Sequence, residues 1–413
     1  MRILIATTAL LVSAQLGAAD DFAAFKAAQK SEFEAFSASY VNEYETFRHE
    51  YLAEFDRYTQ SLMLDWADPK QTSMDERIVY TADRQARIRI DDVKKTLKIE
   101  QLDKQAPAKT LVKQLLDDPS TSKELASIDN VEALLVEQLE AGQSELVTQT
   151  KVTEHRAAIV DAILTQQQQT LSSLSRDETI SEADIAAEKA KLMLETEQRI
   201  VKLDEKIAEV AKKDPKYKNI RINQISLPNN YLSNRVKPFM QDYQTQASLL
   251  SMDLSLLLAI SHAESAFDPQ AQSHIPAFGL MQIVPSSAGK DVAKKLLKRS
   301  KAPSPDELFD PKTNIEFGSG YLSILNNRYL KGIDDPLSRK YCVIAAYNTG
   351  AGNVARAFNG GKNRSIKAAY KHINALTSAQ VYNQLKVNLP YSETRKYLLK
   401  VTQLEQEYQT NIH

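Results

Sequence analysis

His262-Ala263-Glu264-Ser265-Ala266-Phe267-Asp268-Pro269, followed by Gly279-Leu280-Met281-Gln282, is the stretch on which the reading of this chain turns. It closes the apolar run Leu254 to Ala263, whose pattern predicts a helix. Glu264 therefore sits at a helix end, before a turn and a small-apolar segment that carries a single amide. A glutamate crowded by apolar neighbours has its charged form disfavoured, so its pKa should rise. It could then hold a proton near neutral pH, as a general acid must. A helix-end glutamate without chemistry is the commoner case, so the weight comes from what accompanies it.

Three clusters accompany it. Ala345-Ala346-Tyr347-Asn348-Thr349-Gly350 ends an apolar helix in a glycine-bearing loop, where a phenol and an amide can be held facing a cleft. Pro390-Tyr391-Ser392-Glu393-Thr394-Arg395-Lys396-Tyr397 opens the last helix. Ser273 lies in the turn after Glu264. Tyr and Asn near helix ends are usually core residues or caps, so each cluster alone is weak. In this order and together they are specific. Ser265 is ambiguous, because a helix-end hydroxyl often bonds only to backbone.

Working outward, 413 residues are too many for one small core and suggest two or three domains. The net charge of -1 gives no bulk attraction to nucleic acid. Only 11 Gly argue against a large all-β protein. The expected fold class is mainly α, with a small antiparallel sheet in the N-terminal region. Met1-Arg2, the apolar run Ile3 to Leu16 and Gly17-Ala18-Ala19 read as a secretory signal peptide over residues 1–19. No later segment reaches a membrane-spanning length, and no Cys follows the cleavage site for lipid attachment. The expected location is the periplasm. Cys342, the one cysteine, falls in an apolar helical run and reads as a core thiol.

Residues 20–227 form the expected N-terminal domain. It opens with an aromatic stripe, Phe22, Phe25, Phe33, Phe36, Tyr40, Tyr44, Phe47, Tyr51, Phe55 and Tyr58. The repeat at eleven keeps that stripe on one face of a straight helix, which more often packs on its own protein than on a partner or a membrane surface. Alternating runs at 77–80, 86–90 and 96–100, with turn residues between them, predict the sheet, and Tyr217 to Leu227 a further strand. Lys109 to Lys213, which includes Gln166 to Gln169, predicts a long helical hairpin with solvated charged faces. Pro228-Asn229-Asn230 opens a final, loop-punctuated helical domain, 228–413.

The four motifs resemble the signature of the soluble lytic transglycosylase catalytic domain, whose fold is like goose-type lysozyme. The similarity covers roughly residues 235 to 405. Within that family the chain looks most like the membrane-bound lytic murein transglycosylase C type. Trp66, the sheet from Ile78 to Leu102, Leu115-Leu116-Asp117-Asp118-Pro119 and the segment Pro228 to Tyr243 are similar to that type's N-terminal portion. The type is normally lipid-anchored through a Cys, which is missing here. The resemblance implies cleavage of the MurNAc-β-1,4-GlcNAc bond of peptidoglycan without water, giving 1,6-anhydromuramoyl ends. It implies Glu264 as the catalytic acid and base. It further implies Tyr347 near Glu264 and the substrate acetamido group, with Ser273, Gln282, Asn348, Met281 and Tyr397 around the saccharide or the acid.

Two other readings compete. A hydrolytic goose-type-like lysozyme needs a positioned water, and the one other acid between Glu264 and Gln282 is Asp268, beside Pro269, which reads as turn chemistry. A catalytically silent wall-binding or scaffold protein would be signalled by loss of Glu264 or Tyr347, and both are present. An enzyme whose N-terminal helices also dock onto another cell-wall protein is a weaker variant of the first reading. The histidines form no pair at i, i+3 or i, i+4 spacing, and no phosphate loop or nucleophile elbow occurs, so no metal or cofactor is expected.

Overall fold

The computed structural model describes residues 45–73, 75–102, 106–142, 144–174 and 182–411. The signal-peptide expectation for 1–19, and the aromatic stripe up to Tyr44, lie outside them. The chain divides into two compact units, Met1–Glu54 and Phe55–His413. Of the first, residues 45–54 are described, and they are helical. There the Phe47 and Tyr51 rings stack along one face with centroids 6.1 Å apart, as an i, i+4 pair should. The helix 45–62 is α1.

In the second unit the predicted sheet is present, built from β1 (Arg77–Tyr80), β2 (Ala86–Asp91) and β3 (Thr96–Leu102). It is completed by β4 (Glu145–Val147) and β5 (Ile220–Ser226), in the order β1-β2-β3-β5-β4, antiparallel throughout. Register explains why both faces are buried. Ile88 pairs with Ile99 and Ile90 with Leu97, and these side chains enter the main core together with Ile225. On the opposite face Tyr80 pairs with Arg87 and Arg87 with Glu100. Arg87 and Glu100 meet at 2.5 Å with almost no exposure. The Arg87 guanidinium lies 4.2 Å from the Trp66 ring centroid, and the indole donates to the Arg84 carbonyl at 2.9 Å. Arginine suits this position because its delocalised charge stacks on an indole while its fork binds a carboxylate.

The block read from sequence as one long hairpin is more divided than expected. It contains α2 (Ala108–Asp117), α3 (Pro119–Leu125), α4 (Val131–Ala141) and the short β4, and only then the hairpin α5 (Arg156–Leu174) and α6 (Glu182–Lys213). Asp118-Pro119 makes the first break: the Asp118 carboxylate caps α3 by accepting from Ser120 and Thr121, and proline cannot continue the preceding helix. The pair α5/α6 is antiparallel, since Arg156 reaches Asp204 (2.5 and 2.8 Å) while Gln167 reaches the Leu192 carbonyl (3.3 Å). Its small core holds Ile159, Ile163, Leu203, Ile207 and Val210, closed by Met63.

After β5 the described residues are mainly helical, as expected: α7 (Tyr231–Val236), α8 (Met240–Leu250), α9 (Leu254–Ser265), α10 (Lys290–Lys295), α11 (Pro305–Phe309), α12 (Pro311–Ile324), α13 (Pro336–Thr349), α14 (Ala351–Phe358), α15 (Ile366–Ile373), α16 (Ser378–Asn388) and α17 (Ser392–Asn411). The first residues of α11, α12 and α13 are prolines preceded by Ser304, Asp310 and Asp335, whose side chains cap the exposed N–H groups. Helix α9 is buried from Leu256 to His262. It lies along α17, which turns Tyr397, Val401, Leu404 and Tyr408 inward at helical spacing. Cys342 on α13 is fully buried and its thiol pKa is pushed up by desolvation, as a core thiol should be. One apolar core runs without interruption from the sheet, through Leu227 and Tyr231, into α9, α13 and α17.

Candidate active site

Helix α9 stops where the sequence reading placed Glu264. Ala266 and Phe267 take left-handed backbone angles, with φ of 49° and 62°, a conformation that side-chain-bearing residues rarely adopt. Neighbours hold it. Arg235 of α7 donates Nε and Nη2 to the Ala266 carbonyl at 2.9 and 2.7 Å. The Phe267 ring is enclosed by Tyr243, His262 and Tyr408, at centroid separations of 6.1, 5.5 and 6.3 Å. Packing and a charged donor thus offset a locally unfavourable backbone and fix the direction of the helix end.

Glu264 is half-buried there. The Tyr397 hydroxyl, from α17, donates to its Oε1 at 2.7 Å, and Tyr397 itself is 1% exposed. The carboxylate is therefore approached by a donor whose ring is locked by packing. Next to it, Ser265 Oγ donates to the Leu280 carbonyl at 2.7 Å and lies 3.3 Å from the Ser261 carbonyl. Ser265 accordingly bonds to backbone and pins α9 to the 279–282 turn. Tyr243 and Ser261 share a hydroxyl bond, and Ser261 also donates to the Leu280 carbonyl at 3.0 Å.

The turn is organised by a residue that belongs to none of the motifs. Asn314, on α12 and fully buried, accepts from Met281 N and donates to the Phe278 and Leu308 carbonyls, each at 2.7 Å. Gly279 has φ 72°, and a Cβ there would lie 2.3 Å from the Leu308 oxygen and 2.4 Å from Asn314 Nδ2. Only glycine fits. Gln282 has φ 47°; its amide donates to the Ala271 and Gly279 carbonyls, both at 3.0 Å. Ser273 donates to the Ile275 carbonyl within the same loop.

The remaining expected residues are buried and join neighbouring elements. Tyr347, 4% exposed, donates to the Met281 carbonyl at 2.8 Å and stacks on Tyr321 with centroids 5.5 Å apart. Met281 is fully buried, its sulfur lying against Gly318 of α12. Its side chain is part of the core that shapes the turn. Asn348 accepts from Thr394 at 2.7 Å, which joins the end of α13 to the start of α17. The structure thus brings Glu264 to Tyr397, Tyr347 to Met281, and Asn348 to Thr394, while Gln282 and Ser273 stabilise the loop between them.

Behind α9 lies a buried charged cluster. His262 Nε2 is 3.1 Å from Asp92 Oδ2, in the turn after β2, and its Nδ1 is 2.8 Å from the Tyr408 hydroxyl. Arg77 pairs with Asp92, with Glu124 at 3.0 Å and with the Tyr231 hydroxyl at 2.6 Å. Desolvation pushes the His262 pKa down to about 4, against the pull of Asp92. The Arg77 charge, against the cost of burial, keeps the Asp92 carboxyl well below the usual carboxylate range. Among the described residues no three His, Cys, Asp or Glu side chains converge as metal ligands, and no helix is long and apolar enough to cross a membrane.

The site lies in a stretch that is similar to known proteins. Residues 243–370 match the family model "Transglycosylase SLT domain". The chain is 44% identical over 184 residues to a protein from Sodalis glossinidius named membrane-bound lytic murein transglycosylase C, covering 45% of this chain and 50% of that one. It is 45% identical over 184 residues to the protein of the same name from Klebsiella pneumoniae, with the same coverage. The chain spans about half the length of the curated relatives it matches. Among solved structures, it is similar to an inactive mutant of the lytic transglycosylase Slt from Pseudomonas aeruginosa, at 24% identity and TM-score 0.31, covering 42% of this chain and 24% of that one. The 70 kDa soluble lytic transglycosylase of Escherichia coli matches at 17% identity and TM-score 0.34, covering 88% of this chain and 44% of the other. The region that holds Glu264, the 279–282 turn and Tyr347 lies within the match to the transglycosylase SLT domain family.

Proposed function

We propose that this chain is a periplasmic peptidoglycan lytic transglycosylase in which Glu264 serves as both acid and base, with residues 228–413 as its catalytic domain. The observation that carries the reading is the 2.7 Å bond from Tyr397 to Glu264 Oε1, inside a domain whose relatives are named murein transglycosylases. With Oε1 held by the phenol, the acidic proton is assigned to Oε2. That proton passes to the glycosidic oxygen as the C1–O4 bond breaks, while the acetamido oxygen of the muramoyl residue closes onto C1. Glu264, now a carboxylate, takes the proton of the C6 hydroxyl. O6 attacks C1 and displaces the acetamido oxygen, leaving a 1,6-anhydro ring and a neutral Glu264. Ordinary glycosidases need a second carboxylate as nucleophile or base; here the substrate's acetamido oxygen replaces that nucleophile, its C6 hydroxyl replaces water, and Glu264 itself is the base.

The test is mass analysis of the products released from purified sacculi by wild type and Glu264→Gln. Wild type should release anhydromuramoyl ends, and the variant should release almost nothing while melting at nearly the same temperature. Reducing ends would replace this reading with a hydrolase. Wild-type release by the variant would remove Glu264 from the mechanism.

A further inference from the structure

We propose that Glu124, in the N-terminal part of the chain, is a positioning residue for Glu264: it holds Arg235 on the end of α9 and so aligns the acid from outside the helical domain. The proposal rests on the reading of Glu264 as the acid. Three contacts from the N-terminal part bracket Glu264. Two residues before it, His262 Nε2 lies 3.1 Å from Asp92 Oδ2, in the turn after β2. Two residues after it, the Ala266 carbonyl accepts both Arg235 bonds, and Arg235 Nη1 is 3.4 Å from Glu124 Oε2. Four residues after it, Asp268 Oδ2 is 2.9 Å from Lys123 Nζ. Lys123 and Glu124 are neighbours in α3, so one short helix grips the chain just beyond Glu264. Helix α3 is itself fixed to the sheet. Its capping residue Asp118 accepts from Ala82 N, between β1 and β2, at 2.7 Å. Arg77 Nε of β1 lies 3.0 Å from the same Glu124 oxygen that faces Arg235.

That shared oxygen is what gives Glu124 its effect. The Arg77 and Arg235 side chains are only 14% and 11% exposed, and the carboxylate stands between their guanidinium groups. An amide in its place leaves two poorly solvated cations facing each other, an arrangement that a low-dielectric setting makes costly. Arg77 keeps a second carboxylate in Asp92. The other hydrogen-bond partners of Arg235 are neutral, the Ala266 carbonyl and the Tyr231 hydroxyl, so Arg235 is the group that yields. The Ala266 carbonyl then loses the donor that offsets the left-handed angles of Ala266 and Phe267, and the end of α9 relaxes. The Lys123–Asp268 pair is the more exposed contact and contributes less. Small displacements of a reacting group slow chemistry steeply.

The experiment measures kcat and KM of the full-length protein on soluble, uncross-linked glycan strands, at a temperature well below the melting onset of every variant. The variants are Glu124→Gln, Glu124→Asp, Arg235→Lys and the pair Glu124→Gln with Arg235→Lys. Lysine keeps the charge of Arg235 but not its two-pronged hold on the Ala266 carbonyl. Glu124→Gln and Arg235→Lys should each lower kcat roughly ten-fold or more and leave KM nearly unchanged. The pair should be no slower than the slower single variant, because both act through one carbonyl. Glu124→Asp retains the charge between the arginines and should recover most of the rate. Wild-type kcat in Glu124→Gln, a loss carried by KM, losses that multiply in the pair, or an Asp variant as slow as the Gln variant overturns the proposal. Should Glu124→Gln fail to fold, Arg235→Lys decides in its place, full kcat again overturning it. Glu264→Gln assayed alongside separates the two claims. Turnover by that variant overturns the reading of Glu264, whereas its inactivity beside a fully active Glu124→Gln overturns the positioning role alone.

Discussion

At the scale of single residues, the site turns on one phenol and one carboxylate. Tyr397 offers its hydroxyl to Glu264 from a ring with almost no exposed surface, so Tyr397→Phe removes the bond and leaves the packing. A hydrogen bond to a charged partner is worth about 1.5–3 kcal/mol, which sets an expected fall in turnover of roughly 10- to 150-fold. Initial rates of anhydromuropeptide release, read beside a thermal melt, check it; a Tm loss as large as that of a core truncation would make Tyr397 a structural residue. Glu264 stands out in the sequence through its setting at the end of an apolar helix, and Tyr397 through the resemblance of its motif to the transglycosylase signature. Arg235 and Asn314, which aim the helix end and build the turn, do not. An arginine in the last turn of a short helix and an asparagine in the first turn of a longer one carry no local sign of which carbonyls they will meet in space.

At the scale of elements, the 279–282 turn is the most constrained piece. Gly279 needs a left-handed angle and leaves no room for a methyl group between Leu308 and Asn314. Gly279→Ala should therefore cost about 2–4 kcal/mol, the sum of the backbone penalty and a forced shift of a buried amide. Urea unfolding, with activity followed in parallel, measures it. A cost below about 0.5 kcal/mol would mean that the turn is free to adapt. The alternating strands were readable because pleating makes every second residue apolar. Strand β4 was not, being three residues long and exposed at Glu145 and Leu146. The glutamine run 166–169 read as helix, and is helix, but its contacts were not legible. It forms a seam in which Gln168 accepts from Ser392 at 2.7 Å, Gln169 reaches Glu393, and the Gln166 carbonyl lies 3.2 Å from His274. Amides serve either solvent or a partner surface equally well, so composition alone cannot distinguish the two.

At the scale of the whole molecule, the sheet and the catalytic helices share one core and one buried charge cluster, which sets Asp92 against His262, two residues from Glu264. The His262 pKa drops from an ordinary 6.5 to about 4 in the folded protein. Below pH 6.5 the unfolded chain takes up a proton that the folded chain refuses. Stability therefore falls as pH drops from 6.5 towards 4, by roughly 3 kcal/mol at most. Melting temperatures across that window should decline in wild type and decline less in His262→Gln. Equal slopes would show that the cluster does not set the acid limit. The buried thiol of Cys342 has a consequence for anyone following the loop after α14 in solution. A cysteine introduced at Lys362 would be the one accessible thiol among the described residues, so a maleimide dye could report on that loop with the native cysteine left in place.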